Sequence, residues 1–363
     1  MVKLKIDNND FEVQEGLTIL NVARSAGFSI PNLCHKDGLP HYSSCMVCMV
    51  KDKRTDSFVP SCSALVQDGM EIDISGEEVV SIRRKAIELL LSEHRAECEA
   101  PCKVVCPAGY NIPLMNRYLQ SNDFDSAINL SLSELKTHEI YCIKCPGYCE
   151  NACRRKKIDV QVSIRNIQLF ISQSVNKDKT VFDSADAKEN PESVSDEKVR
   201  SDKSLKRFTS RIGKLETVEL QEWLKECYGE GKRFSEITDL HTAGIEAESC
   251  MHCDCRAVDN CRLRDLADTM SVKDPRGKLV NSPIVKKINK NTGLIFENAK
   301  CIKCGLCVRL CEDSNEEPAL CFIYRGFVSI ISEPLTEEFN NILKTKSNEV
   351  IEICPTGALS KLK

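Results

Sequence analysis

The chain has 363 residues, 42% of them hydrophobic, a formal net charge of −4, and 22 cysteines against six histidines and one tryptophan. That length allows two or three domains with real cores, and the charge gives no support for nucleic acid as a main partner. The opening MVKLKIDNNDFEV has no apolar signal core and no stretch approaches about 18 apolar residues, so no membrane insertion is expected and the cysteines suit a reduced, cytoplasmic compartment as metal thiolates rather than disulfides.

In chain order, Val2 to Ile6 and Phe11 to Gln14 are β-prone runs around the turn signal Asn8-Asn9-Asp10. Thr18 to Ala26 has a helical apolar face with Thr18 as a cap, and Glu71 to Ile74 can return as a strand. Ser81 to His94 reads as a helix with the stripe Ile82, Ile87, Leu90 and Leu91. Ile112 to Gln120 and Phe124 to Leu132 look helical, whereas Val160 to Ile171 begins β-like and ends helical. Lys177 to Ser204 is polar, mixed in charge and nearly free of core residues, as a linker is. Val218 to Tyr228 repeats Leu220, Trp223, Leu224 and Cys227 at helical spacing, which places Trp223 and Cys227 in a core. No glycine-rich dinucleotide fingerprint follows a strand-like run and no phosphate-binding P-loop is present, so no flavin, nicotinamide or ATP site is legible.

The first cysteine group is Cys34, Cys45, Cys48 and Cys62, in PNLCHKDGLPHYSSCMVCMVK and VPSC. Four thiolates suit a 2Fe-2S rhomb, two per iron, with loop amides directed at the bridging sulfides; a zinc knuckle is the alternative. With GFSIPNLCHKDGLP, the stretch resembles the plant-type 2Fe-2S domain at the N-terminus of the large NADH-quinone oxidoreductase iron–sulfur subunit and of FeFe hydrogenases. His35 and His41 are expected to face solvent in the loop.

The middle group begins with His94, Cys98, Cys102 and Cys106 in HRAECEAPCKVVCPAGYNIP and continues with Cys142, Cys145, Cys149 and Cys153 in YCIKCPGYCENACRRKK. Seven cysteines are one short of the eight ligands of two 4Fe-4S cubanes, so a histidine or an amide oxygen is needed. His94 and Cys98 keep the beginning of the quinone-oxidoreductase pattern. The remainder resembles the two-cubane N-terminal domain of the small glutamate synthase subunit and of dihydropyrimidine dehydrogenase. The resemblance implies interleaved ligands: His94, Cys98, Cys102 and Cys153 on one cubane, and Cys106, Cys145, Cys149 and Gln168 on the other, with Cys142 as a substitute for His94 or Gln168. Arg154 to Lys157 reads as a solvated turn, or else a docking patch for an acidic electron carrier.

Cys250, Cys253, Cys255 and Cys261 follow as C-x2-C-x-C-x5-C, a site for a further cubane or for zinc, with His252 exposed or supporting. Cys301, Cys304, Cys307 and Cys311 form KCIKCGLCVRLCED, and EICPTGAL adds Cys354. No second tight trio is present, so one cubane on Cys301, Cys304, Cys307 and Cys354 is expected. Cys311 and Cys321 are left as buried, inert thiols. This end resembles a ferredoxin-like domain of the quinone-oxidoreductase subunit.

The expected fold class is α+β and multi-domain. It comprises a β-grasp 2Fe-2S ferredoxin domain over 1–75, a helical domain with two 4Fe-4S clusters over 76–172 and a linker over 173–210. A helical segment with a further cysteine group over 211–290 and a 4Fe-4S ferredoxin-like domain over 291–363 complete it. One 2Fe-2S and four 4Fe-4S clusters imply an electron-transfer subunit without catalytic residues of its own. It would relay single electrons from a flavin- and NAD(P)H-binding subunit to a hydrogenase, formate dehydrogenase or ferredoxin-reactive partner. The rivals are a self-contained iron–sulfur reductase with substrate at a cluster, and a zinc-rich interaction module.

Overall fold

Val2, Leu4 and Ile6 alternate with lysines, so one face of the first strand is apolar and packs inward. In the computed structural model, which describes residues 1–94, 98–135, 142–182, 217–227, 236–272 and 285–362, this strand, β1 (Val2–Ile6), pairs antiparallel with β2 (Asn9–Val13) and parallel with β5 (Met70–Asp73). β3 (Met49–Asp52) and β4 (Ser57–Pro60) complete a five-stranded sheet in the order β2-β1-β5-β3-β4. Helix α1 (Ile19–Ser25) lies against it, and the Thr18 hydroxyl caps the helix by accepting from the Asn21 amide at 3.2 Å. Ile19, Leu20, Val22 and Ala23 join the sheet's core. Helix α2 (Glu77–Glu93) starts four residues before the expected Ser81 and is fixed by buried Arg83, which donates to the carbonyls of Met49 and Ile74.

The chain is a multi-domain α+β protein whose described residues fall into two units, Met1–Ala96 with Asn260–Leu362, and Glu97–Asp259. The first unit is discontinuous in sequence. Its C-terminal part pairs β6 (Lys286–Asn289), β7 (Leu294–Glu297) and β10 (Leu359–Lys361) in one antiparallel sheet, with β8 (Cys321–Ile323) and β9 (Ile330–Ser332) as a separate hairpin. Helices Leu306–Asp313 and Ser347–Ile353 cover this sheet's core. Within this unit Arg262 donates to the Asn32 carbonyl at 2.6 Å, and Arg84 donates to that of Met270 at 3.2 Å.

The second unit is helical. It opens with the short α3 (Pro101–Val105). Asn111 then caps α4 (Ile112–Gln120) and Asp123 caps α5 (Phe124–Glu134), each side chain accepting from an amide three residues on. The ambiguous stretch from Val160 resolves into helix Ile164–Phe182, which runs on into the first residues of the expected linker; from residue 183 to 204 that linker lies outside the described residues. Residues after it return to the same core. Ala243, Ala247 and Cys250 pack with Ile112, Met115 and Leu119, so the helix Leu240–Ala247 and the cysteine loop after it share the core of the second unit.

One buried ion pair locks that return. Arg117 on α4 donates through both terminal nitrogens to Asp254, at 2.8 and 2.7 Å. Burial opposes the charge on Asp254, but the guanidinium prevails and holds its carboxyl well below the usual range. Replacing Arg117 with Met leaves a buried carboxylate without its partner and is expected to destabilise the unit by about 3–5 kcal/mol. A double Arg117→Met, Asp254→Leu variant should lose much less. Urea titration of the two variants measures the difference.

Candidate metal centres

The loop from α1 to β3, together with Cys62 just past β4, brings Cys34, Cys45, Cys48 and Cys62 together, all at 4% exposure or less. Cys45 and Cys62 hydrogen-bond to the Cys34 sulfur and hold its thiol well below the ordinary range, while the same contacts push Cys45 and Cys62 up. Cys48 is drawn down by its bond to Cys62. Ser43 stands 3.5 Å from the Cys62 sulfur. These contacts fit four thiolates around a small dinuclear group.

His35 is buried, not solvent-facing as expected. Its ring stacks on His41 with centroids 4.9 Å apart, and its Nε2 lies 2.9 Å from an Asp37 carboxylate oxygen. That pairing supplies the polar partner a buried imidazole needs.

Cys301, Cys304, Cys307 and Cys354 line one cavity of about 20 Å³. The Lys303 amide donates to the Cys301 sulfur at 3.3 Å, and burial pushes the Cys301 thiol up to about 12. A cluster binding here has to displace protons, because the ligand is the thiolate. Gly305 has φ +70°, and a Cβ there would sit 3.0 Å from the Tyr42 ring and 3.1 Å from Phe322. Cys311 does not line the cavity and packs in the apolar core beneath it. Cys321 lies half-buried in β8.

These two centres share one side chain. Arg309, on helix Leu306–Asp313, is 1% exposed. Its Nη2 donates to the Cys34 carbonyl at 2.7 Å and to the Cys304 carbonyl at 3.1 Å. Its Nη1 donates to the Pro40 carbonyl, and the guanidinium lies over the Tyr42 ring at 4.5 Å.

In the helical unit, a cavity of about 300 Å³ is lined by Cys106, Cys142, Cys145, Cys149 and Gln168, closed in by Tyr110, Leu135 and Ile164. The Gly147 amide donates to the Cys145 sulfur at 3.4 Å. Gln168 is 1% exposed; Ser131 donates to its Oε1 at 3.4 Å, while its Nε2 has no hydrogen-bonding partner. A second cavity, of about 20 Å³, is lined by Cys102, Cys153, Cys250 and Cys253. His94, Cys98, Cys255 and Cys261, expected to join these thiols, are not part of that cavity's lining. Cys98 and Cys255 meet through backbone, the Cys255 amide donating to the Cys98 carbonyl at 3.0 Å. His94, the C-cap of α2, and Cys261, whose sulfur is 3.9 Å from the Pro355 carbonyl, belong to the first unit.

The basic run Arg154 to Lys157 is half surface: Lys156 and Lys157 are exposed, Arg154 and Arg155 are not. It forms a short 3-10 helix in which Arg154 and Arg155 are buried. Arg155 pairs with Asp159 at 2.7 Å and donates to the Ser249 carbonyl at 2.9 Å; Arg154 lies 5.9 Å from the Trp223 ring. His252, expected to be exposed or supporting, is buried against Gln120 at 2.9 Å, and burial draws its pKa down to about 3.

Three family models match separate parts of the chain. One is described as a 2Fe-2S iron–sulfur cluster binding domain, over residues 1–76. A second is dihydropyrimidine dehydrogenase domain II, 4Fe-4S cluster, over 85–180. The third is the ferredoxin-like domain of NADH-quinone oxidoreductase subunit 3, over 294–360. The chain is an iron–sulfur protein with an N-terminal 2Fe-2S domain, a middle 4Fe-4S domain and a C-terminal ferredoxin-like domain.

Among particular relatives, it is 34% identical over 116 residues to the NADPH-Fe(3+) oxidoreductase subunit alpha of Geobacter sulfurreducens, covering 32% of this chain and 13% of the relative. It is 25% identical to the putative formate dehydrogenase YrhE of Bacillus subtilis, over 45% of this chain and 17% of that one. The mitochondrial 78 kDa subunit of the NADH-ubiquinone oxidoreductase of Candida albicans is 30% identical over 27% of this chain and 14% of its own. The matches thus span less than a fifth of these relatives. The crystal structure of an NAD+-reducing NiFe-hydrogenase in the H2-reduced state is a weak overall likeness, with TM-score 0.49 and 16% identity over 99% of this chain and 87% of that one.

Arg309 yields a direct test. An Arg309→Met variant keeps all the cysteines but removes the buried cation beside the carbonyls of Cys34 and Cys304. Iron content should be unchanged, while the midpoint potentials of the 2Fe-2S centre and the C-terminal cubane fall by on the order of tens of millivolts. Redox titration followed by electron paramagnetic resonance reads both.

Proposed function

We propose that the chain relays single electrons within a larger cytoplasmic oxidoreductase. Its donor is a flavin- and NAD(P)H-binding subunit and its acceptor a hydrogenase, formate dehydrogenase or ferredoxin-reactive subunit. The carrying observation is that separate sets of thiols recur along both units, two of them joined through Arg309. The relatives' names supply the chemistry at either end: NADPH, NADH and formate are what those proteins are named for. No described helix is long and apolar enough to cross a membrane.

Thiol contacts around Cys34 and the linings of the cavities support the following ligand sets. Cys34, Cys45, Cys48 and Cys62 hold a 2Fe-2S cluster, and Cys301, Cys304, Cys307 and Cys354 hold a 4Fe-4S cluster. In the 300 Å³ cavity the thiols of Cys106, Cys142, Cys145 and Cys149 supply four ligands. Thiolate is the better donor to iron than a neutral amide, which leaves Gln168 to hydrogen-bond from its unpartnered Nε2. Such clusters exchange one electron each. The protein's part is to fix their spacing, exclude water and set their potentials through amide-to-sulfur hydrogen bonds such as that of Gly147. Cys102 and Cys153 contribute to a further cubane. His94, Cys98, Cys255 and Cys261 stand outside these sets, which make one 2Fe-2S and three 4Fe-4S clusters against the four cubanes expected from spacing.

Mononuclear zinc fits less well. A tetrahedral zinc with bonds of about 2.3 Å needs its sulfurs drawn to a point, whereas a cubane gives each thiolate its own iron and spaces them around a cavity.

Two measurements follow. Anaerobically purified chain should carry about 14 iron atoms and matching acid-labile sulfide, and should bleach when NAD(P)H is added with its co-purifying flavin subunit. Iron near zero with stoichiometric zinc sinks the reading. At the large cavity, Cys142→Ala should lose up to about four irons, whereas Gln168→Leu should keep them and lower one potential. The reverse pattern makes Gln168 the ligand and Cys142 a spare thiol.

A further inference from the structure

We propose that Cys102, Cys153, Cys250 and Cys253 are the complete ligand set of one 4Fe-4S cluster, closed across the long excursion that separates the second pair from the first. The proposal rests on the iron–sulfur reading above and names ligands which that reading leaves open.

Four thiols from three segments converge. Cys102 sits in α3, and Cys153 caps the 3-10 helix Arg154–Lys157. Cys250 and Cys253 come from the loop after helix Leu240–Ala247. All four line one cavity, and its volume of about 20 Å³ equals that enclosed by Cys301, Cys304, Cys307 and Cys354. Burial pushes the Cys102 thiol up, and Cys250, Cys153, Cys253 and Cys149 add to that push. Cys98 and Cys255 do not line this cavity, and the neighbouring cavity has four thiols of its own.

A second observation points to a ligand. Asn116 lines the same cavity, is fully buried, and neither its amide nitrogen nor its amide oxygen finds a hydrogen-bonding partner. Its amide is placed beside the Cys250 sulfur. An unpartnered buried amide costs about 1–3 kcal/mol, and a cluster with its thiolates supplies the sulfur acceptors that relieve it. Backbone amides already point the same way: those of Val162, Arg155 and Lys156 reach the Cys153 sulfur, and that of His252 reaches Cys250. The Arg154 guanidinium faces Cys253 and offsets negative charge gathered there.

The loop is fixed by contacts that need no metal. Arg117 grips Asp254, Gln120 holds both His252 and the Ala247 carbonyl, at 2.9 and 2.8 Å, and Arg155 holds the Ser249 carbonyl at 2.9 Å. Cys227 donates to the Cys250 carbonyl at 3.1 Å, which gives this isolated thiol its place. The stretch matched by the middle family model, 85–180, therefore carries only half of the ligands of this cluster.

The test uses the full chain, purified anaerobically, with iron, sulfide and electron paramagnetic resonance after reduction. Cys102→Ala, Cys250→Ala and Cys253→Ala should each lose up to about four irons and the same resonance. A Cys102→Ala, Cys253→Ala double variant should lose no more than either single one, because residues serving one cluster are not additive. Full iron in Cys250→Ala and Cys253→Ala, or losses that add in the double variant, overturn the proposal. If the alanine variants precipitate, Cys253→Ser decides: an oxygen donor should alter one cubane's spectrum and leave the rest, and an unaltered spectrum refutes the assignment. Asn116→Leu should retain all iron while that same cubane becomes harder to reduce. Wild-type chain lacking iron would overturn the iron–sulfur reading itself, and is recognised before any variant is compared.

Discussion

Buried sulfur is the constraint on which this structure depends. A thiolate without a counterpart is costly to bury, and several together repel. Burial accordingly pushes the thiols of Cys149, Cys253 and Cys301 upward. Metal coordination reverses that logic, because the cation supplies the charge that the apolar surroundings cannot. The secondary structure around the sites is short, with strands of three to five residues and helices such as α3 and Tyr148–Asn151. Elements so short bury little apolar surface and close few hydrogen bonds of their own. Thiolate–iron bonds at the ends of such elements would act as the cross-links that a larger core otherwise provides.

Two buried arginines do different jobs. Arg117 meets a carboxylate, so its task is to neutralise and to hold a returning loop in register. Arg309 meets carbonyls and an aromatic face in place of a carboxylate. A cation surrounded by carbonyl oxygens of cluster-bearing loops retains its field, and a field of that sign favours the reduced, more negative state of a nearby centre. Arg309 thus binds two cysteine loops, and would bias any clusters they hold toward reduction.

Much of the fold was legible because its signals are local. The alternation of Val2, Leu4 and Ile6, the cap at Thr18 and the stripe on α2 each lie within a few residues, and C-x2-C-x2-C announces a cubane loop within a single turn of chain. What escaped was non-local. Spacing groups Cys250 and Cys253 with Cys255 and Cys261 because it records only neighbours in sequence; it cannot show that the first two line a cavity with Cys102 and Cys153. Their position is set instead by Ala243 and Ala247 packing into the core of α4, and by Asp254 finding Arg117. His35 reads as a loop residue until His41 and Asp37 are seen beside it. The run RRKK reads as surface because four adjacent charges usually are, yet Ser249, Asp159 and Trp223 each take up part of it.

The discontinuous first unit carries a further consequence for how such chains are assembled. Its N-terminal and C-terminal parts are joined by Arg262 reaching Asn32 and by Arg309 reaching Cys34 and Pro40. These contacts form only after the entire helical unit has been made, because the partners lie on either side of it in sequence. Closing so long a loop costs only slightly more entropy than closing a short one, since the penalty grows with the logarithm of length. A helical unit with its own core and its own thiol sets can therefore interrupt the sequence of the first unit at little thermodynamic cost. The same holds one level down, where the 250–254 loop returns to Cys102 and Cys153. In both cases the sequence separation is large, the closure penalty is modest, and a few buried polar contacts suffice to fix which distant segments meet.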